Sequence, residues 1–205
     1  LNTLARLGWS KGENEVFYLG DLIKDFEITE VQKAGAIFDI SKLDYLNAQH
    51  MASLSYEEFT KELEPFLSKK GIDINAHSKT QDLIESMRTS ANTLEAISSN
   101  LVCYFKDVEQ YDDKAITKFI GESNEILLDL KDRLSMLNDW DEENLDAALT
   151  EYRNEKELSV PKVNQPLRIA LTGSTNSPSL GMTLSLFDKE EVLKRIDDLV
   201  RFIKQ

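Results

Sequence analysis

Apolar residues recur along this chain at helical spacing, and most stretches that carry them have readable ends. Ser55 is followed by Glu58 at the spacing of a capping box. Phe59, Leu63, Phe66 and Leu67 then share one side of a helix that Gly71 closes. Leu83, Ile84 and Met87 predict a helix over 82–87, and a further helical stretch runs through Leu94 and Ile97 to Phe105. From about Lys114, the positions Ile116, Phe119, Ile120, Ile126, Leu127, Leu130, Leu134 and Leu137 predict one long helix or two stacked ones, with Gly121 and Ser123 as the joint. Trp140 precedes a helix that opens at Asp141 and turns Leu145, Ala148, Leu149 and Tyr152 inward. In the last helix Asp188 and Glu191 form the cap, and Val192, Leu193, Ile196, Leu199, Val200 and Ile203 repeat at helical spacing. No segment sustains the alternation of a strand, so the expected fold class is all-α, built as two or three small helical bundles in series. Weak breaks fall at 53–56 and 106–114.

The 205 residues, 41% hydrophobic and 30% charged, suffice for the core of one or two domains. Only 8 glycines and 4 prolines fit the helical reading. No apolar run approaches the roughly 20 residues of a membrane span. The start at Leu1, with no basic segment and no long apolar core, is not a signal peptide. It suggests a chain that begins partway through a larger cytoplasmic protein. Cys103 has no cysteine to pair with, and Leu101, Val102, Tyr104 and Phe105 around it predict a buried thiol rather than a nucleophile. The net charge of -13 argues against a general nucleic-acid binder, because phosphate contacts need cations. The charge is uneven, however: from Val160 to Phe187 there are two cations, Lys162 and Arg168, and no acid. Such a cleared patch can receive an anion, and a polar loop of neutral composition would look the same.

The chain lacks a phosphate-cradling glycine loop, a zinc-spaced cysteine pair and a nucleophile elbow. His50 and His77 have no ligand spacing; the first reads as a packed or half-exposed side chain in a helix and the second as a loop residue. Asp112 and Asp113, and Asp141 to Glu143, stand at helix starts, where the helix dipole favours acids. No residue is therefore predicted to be catalytic or to bind a metal. One stretch differs in kind, Gln165-Pro166-Leu167-Arg168-Ile169-Ala170-Leu171-Thr172-Gly173 followed by Ser177-Pro178-Ser179-Leu180. It reads as a short apolar element with one exposed arginine, then a Gly/Ser/Thr/Asn loop, then a new helix at Pro178. A helix N-terminus, loop amides and a planar guanidinium suit the edge of an unstacked base and a nearby phosphate. A loop packed between helices, with Arg168 in an ion pair, fits the same residues.

Leu4-Ala5-Arg6-Leu7-Gly8-Trp9-Ser10, the string Phe38 to Asn47, and the Gln165–Leu180 stretch occur in the order and at the separations of the bacterial-type glutamyl-tRNA synthetases. The chain resembles the C-terminal, anticodon-binding part of that family from end to end. The resemblance implies that 1–54 is the tail of a stem-contact domain, in which Trp9 and the Phe38–Asn47 string serve the fold. It implies that 55–112 and 113–205 are two helical anticodon-binding domains of an α-helical cage. Carried over residue by residue, Arg168 contacts the first anticodon base, and Ser177, Pro178 and Leu180 enclose the first two. Thr172 and Gly173 shape the loop. The implied partner is the glutamate tRNA, with no DNA and no membrane, and the implied state is a monomer. ATP with magnesium would act in a catalytic domain outside this stretch, so the chain alone is expected to be inactive and to need no cofactor.

Two departures stand out. Loop residues 174 to 179 and the string Leu186-Phe187-Asp188-Lys189-Glu190-Glu191 are atypical of the family. Relatives restricted to the glutamate tRNA often read the third anticodon base with an arginine three residues before a Thr-Leu pair. Here the pair is Thr93-Leu94 and the matching residue is Ser90, while Arg88 lies about 200° away if that segment is helical. A hydroxyl cannot make an arginine's forked contact, which extends the expected partners to the glutamine tRNA. The rival reading is a helical protein–protein interaction module that uses its acidic face and has no RNA role.

Overall fold

The computed structural model describes every residue except Lys33, Ala34, Ala36, Ser78, Glu122 and Gln205. Among the described residues the regular structure is helical: twelve α-helices, two single 3₁₀ turns and one isolated bridge between Lys11 and Asn14. Among the described residues no helix is long and apolar enough to cross a membrane.

The first part of the chain holds three helices, α1 (Asn2–Ala5), α2 (Leu19–Asp25) and α3 (Ile40–Ser53), with α1 packed against the other two. Trp9 is buried between Phe17 and Phe26, at ring separations of 5.2 and 5.5 Å, and its indole N–H donates to Glu30 at 3.1 Å. Asn2 is buried with both ends of its amide used: it donates to Glu15 O and accepts from Phe17 N and the His50 ring. In the Phe38–Asn47 string only part supports the core. Asp39 caps α3 by accepting from the amides of Ser41 and Lys42, and Leu46 is buried, whereas Phe38 and Ile40 are 53% and 67% exposed.

Three helices follow: α4 (Tyr56–Lys69), α5 (Thr80–Met87) and α6 (Leu94–Phe105). Both arms of the Ser55–Glu58 capping box form, and Gly71 ends the α4 region in the left-handed conformation at φ +64°. Phe59, Leu63 and Leu67 meet Leu83, Ile84 and Met87 of α5 and Ile97 and Leu101 of α6 in a dry core. Thr93, the N-cap of α6, accepts from the amide of Ala96.

The remainder is six helices: α7 (Asp113–Phe119), α8 (Asn124–Ser135), α9 (Glu142–Glu155), α10 (Val160–Thr172), α11 (Leu180–Leu186) and α12 (Lys189–Ile203). The apolar run from Lys114 thus resolves into two helices, with Gly121 at φ +26° in the joint. Asp112 and Asp141 cap α7 and α9, as their positions suggested. The last helix corrects one expectation. Asp188 makes no side-chain cap, and Glu191 instead grips Arg195 at 2.6 Å, because a nearly buried guanidinium needs a carboxylate more than an exposed helix end does. Helix α12 packs on α8 and α10, and α11 on α9.

The break at 53–56 falls at the α3–α4 junction and the one at 106–114 takes in the linker after α6 and the start of α7, but one continuous hydrophobic core runs across the second. Tyr104 of α6 stacks on Phe187 at 4.7 Å. Arg195 of α12, 4% exposed, donates to Lys106 O at 3.0 Å and to Leu171 O at 2.6 Å. One side chain therefore fastens α12, the end of α10 and the linker after α6.

Candidate nucleic-acid interface

The atypical stretch is a regular helix and its loop. Pro161 sits in the first turn of α10, where its missing N–H costs nothing, and Gly173 ends the helix at φ +75°. A Cβ on Gly173 would stand 2.8 Å from Gln110 O and 2.9 Å from a Val108 methyl, so the turn lies directly on the 106–112 linker. The amide of Asp112 donates to Gly173 O at 2.8 Å, which fixes that approach. Thr172 Oγ1 lies 3.0 Å from Arg168 O and 3.1 Å from Ser174 O. Thr172 and Gly173 shape the loop.

Arg168 is not exposed, and among the described residues it makes no ion pair. It is half-buried, and Nη1 donates to Ser177 O at 2.7 Å, to Pro178 O at 2.6 Å and to the Ser177 hydroxyl. Burial disfavours its charged form, yet a guanidinium remains charged, and the loop carbonyls are the acceptors that solvate it. Its Nε is buried without a partner among the described residues. The sequence reading of a bare arginine failed because α10 turns the side chain back into its own following loop.

The new helix does not begin at Pro178. Ser179 is the N-cap of α11 and accepts from Met182 N, while its hydroxyl donates to Glu142 at 2.8 Å. Gly181 packs so tightly on Asp146 that a Cβ would lie 2.5 Å from the carboxyl. With two acids of α9 beside it, the start of α11 is not a seat for a phosphate. Leu180, 3% exposed, belongs to the core beneath the loop.

Ser90 is not on a helix. It lies in the turn between α5 and α6, exposed, with its amide donating to Met87 O at 2.9 Å. The 200° separation from Arg88 therefore does not describe the geometry. Arg88 reaches the other way, donating to Met51 O at 3.1 Å and to Leu54 O, with its guanidinium 4.8 Å from the Phe59 ring. It is tied into the α3–α4 junction and does not stand in for a missing arginine at position 90.

The fold brings Ser90 face to face with the loop after α10. Ser86, Ser90, Ala96 and Asn100 form one wall of a groove of about 620 Å³, and Asn176, Ser177 and Pro178 form the other. Ser177 and Pro178 line it directly; Arg168 stands behind them and holds their carbonyls; Leu180 lies below. No charged side chain lines this groove among the described residues. Sequence reasoning missed Asn100 and Asn176. The signal for the first was the flank of α6 beside its buried Ile97, Leu101 and Tyr104, where Ala96, Ser99, Asn100 and Cys103 are small or polar.

The other candidate groups are inert. Burial pushes the Cys103 thiol up to about 12, and it donates to Asn100 O at 3.3 Å. His77 is half-buried against Phe105, and that burial lowers its pKa. Among the described residues no three His, Cys, Asp or Glu side chains converge on a possible metal.

A family model described as "Anticodon binding domain" matches residues 58–200. Over 206 residues, 100% of the chain, it is 34% identical to "Glutamate--tRNA ligase 2" of Halorhodospira halophila, covering 44% of that protein. It is 36% identical over 199 residues to "Glutamate--tRNA ligase" of Myxococcus xanthus, covering 42% of it. A crystal structure of a glutamate tRNA ligase from Elizabethkingia meningosepticum, in complex with its amino acid, superposes with a TM-score of 0.82 at 27% identity. That match takes in 98% of this chain and 40% of the other. The chain therefore spans less than half the length of the proteins it resembles.

Proposed function

Because the chain belongs to the anticodon-binding domain family, we propose that it serves a glutamate–tRNA ligase by holding the anticodon loop of the glutamate tRNA. The observation that carries this reading is the groove that sets Ser90 opposite Ser177 and Pro178, residues from two separate helical segments. Its walls offer hydroxyls, amides and backbone groups of fixed position, the chemistry that reads the edges of splayed, single-stranded bases. Arg168 contributes twice: it holds the loop in place, and its remaining N–H groups lie behind the seat of the first anticodon base. Ser90 stands at the seat of the third. With a short hydroxyl and no fork there, the parent ligase accepts the glutamine tRNA as well as the glutamate tRNA.

Activation of glutamate with ATP and magnesium, and its transfer to the tRNA, belong in this reading to the longer ligase, working in the cytosol. The chain's own part is to bind and orient the RNA. Fluorescence anisotropy with a labelled anticodon stem-loop hairpin tests the proposal. Binding should be measurable and should weaken only modestly as salt rises, because no charged side chain lines the groove among the described residues to displace the phosphates' counterions. Equal affinity for a hairpin of scrambled loop sequence would overturn it.

A further inference from the structure

The groove beside Ser90 does not end at Asn100 and Asn176. A second hollow of about 410 Å³ opens there and shares both residues with the first. Ser99, Asn100 and Cys103 of α6 form its floor, the loop at Thr172 and Ser174 one side, and the 106–110 linker the far end. Its volume lies within the range of small-ligand sites.

Its electrostatics are unlike those of a phosphate site. The ammonium of Lys106 is turned away and donates to Lys70 O at 2.6 Å. Asp107 is paired with Lys194 at 2.7 Å. What remains is the side-chain amides of Asn100, Asn176 and Gln110, each offering an acceptor oxygen beside its NH2 donors, and the acceptor-only Glu109 carboxylate. Asn100 Nδ2 already donates to the Ser90 hydroxyl at 3.4 Å, which leaves its Oδ1 open. Acceptors of this kind pair with the exocyclic amino group of cytosine or adenine, and a carboxylate does so where it would repel a phosphate.

We propose that this second hollow is a subsite for one further unstacked nucleotide of the anticodon loop, outside the three anticodon bases. Its base carries an amino group and is gripped between Asn100 and Asn176. The inference rests on the anticodon-loop reading given above and names a contact that reading does not contain. Both side chains are at least partly exposed, so their removal leaves the core intact.

The test uses the whole chain and a set of hairpins in which each loop nucleotide outside the anticodon is made abasic in turn. Asn100→Ala/Asn176→Ala should bind the intact hairpin about tenfold more weakly with an unchanged helical spectrum. One abasic hairpin, lacking an adenine or a cytosine, should bind the unaltered chain about tenfold more weakly and the double variant no worse than the intact hairpin does. Should the double variant lose helicity, Asn176→Ala alone, in the exposed loop, carries the same comparison. Equal affinities in both proteins, or abasic penalties that are the same in both, overturn the subsite and leave the anticodon-loop reading standing. Failure of the unaltered chain to bind the intact hairpin overturns both.

Discussion

Arg168 and Ser90 show how far a single side chain's role depends on the backbone that carries it. Arg168 holds the carbonyls of Ser177 and Pro178, so Arg168→Ala loosens the wall of the groove and removes the contact proposed for the first anticodon base. We expect affinity for the anticodon hairpin to fall about tenfold or more, with the helical spectrum retained. Unchanged affinity would remove Arg168 from the site. For Ser90 the measurement is charging of the glutamate and glutamine tRNAs side by side by the full-length ligase. Loss of one forked contact should leave a preference within about tenfold, and Ser90→Arg should restore part of it. A hundredfold preference for the glutamate tRNA in the unaltered enzyme would refute this. The residue types at both positions were legible in the sequence. Their surroundings were not, because a turn after Met87 and a helix that folds its arginine into its own loop leave no periodic trace.

At the scale of elements, helix ends follow local chemistry wherever a short side chain can reach an amide. Asp141 accepts from the amide of Asn144 at 2.9 Å, and that bond is the first cause of its lowered pKa. A carboxylate with a depressed folded value adds stability that is complete above its unfolded value of about 4 and is lost as pH falls through the lower folded value. Asp141→Asn should therefore flatten the acid limb of the chain's thermal-midpoint curve below pH 4, lowering the midpoint most at neutral pH, where the ionised cap contributes fully, and least at the acid end. An unaltered acid limb would show that the cap does not titrate with folding. Ser55 was readable as a cap from its spacing to Glu58, and Asp112 and Asp141 as acids at helix starts. Glu191 was not, since its partner Arg195 is buried through contacts with Leu171 and Lys106, far away in sequence. The stretch before Thr172 also outran the short element expected of it, because Pro161 begins a helix and Pro166 does not stop it.

For the whole molecule, periodicity was enough to predict an all-helical chain, since nearly every apolar stripe found a neighbouring stripe to cover it. The groove was not predictable in the same way. It exists only because α5, α6 and the loop after α10 meet, and no local pattern encodes a meeting between distant segments. The proposed division of labour has a direct check: the isolated chain, given ATP, glutamate and pyrophosphate, should show no ATP–pyrophosphate exchange. Exchange that survives rigorous purification would place catalysis inside these helices.

The Arg195 clasp bears on timing as well as on shape. Because one guanidinium pins the linker after α6 to the end of α10, the two sides of the trough are spaced before any RNA arrives. An incoming loop then meets a ready seat and does not wait for a hinge to swing. In stopped-flow mixing, the observed association rate should climb linearly with hairpin concentration and reach no plateau. A plateau would reveal a slow opening step. Arg195→Met, which fills the space but drops the clasp, should introduce one.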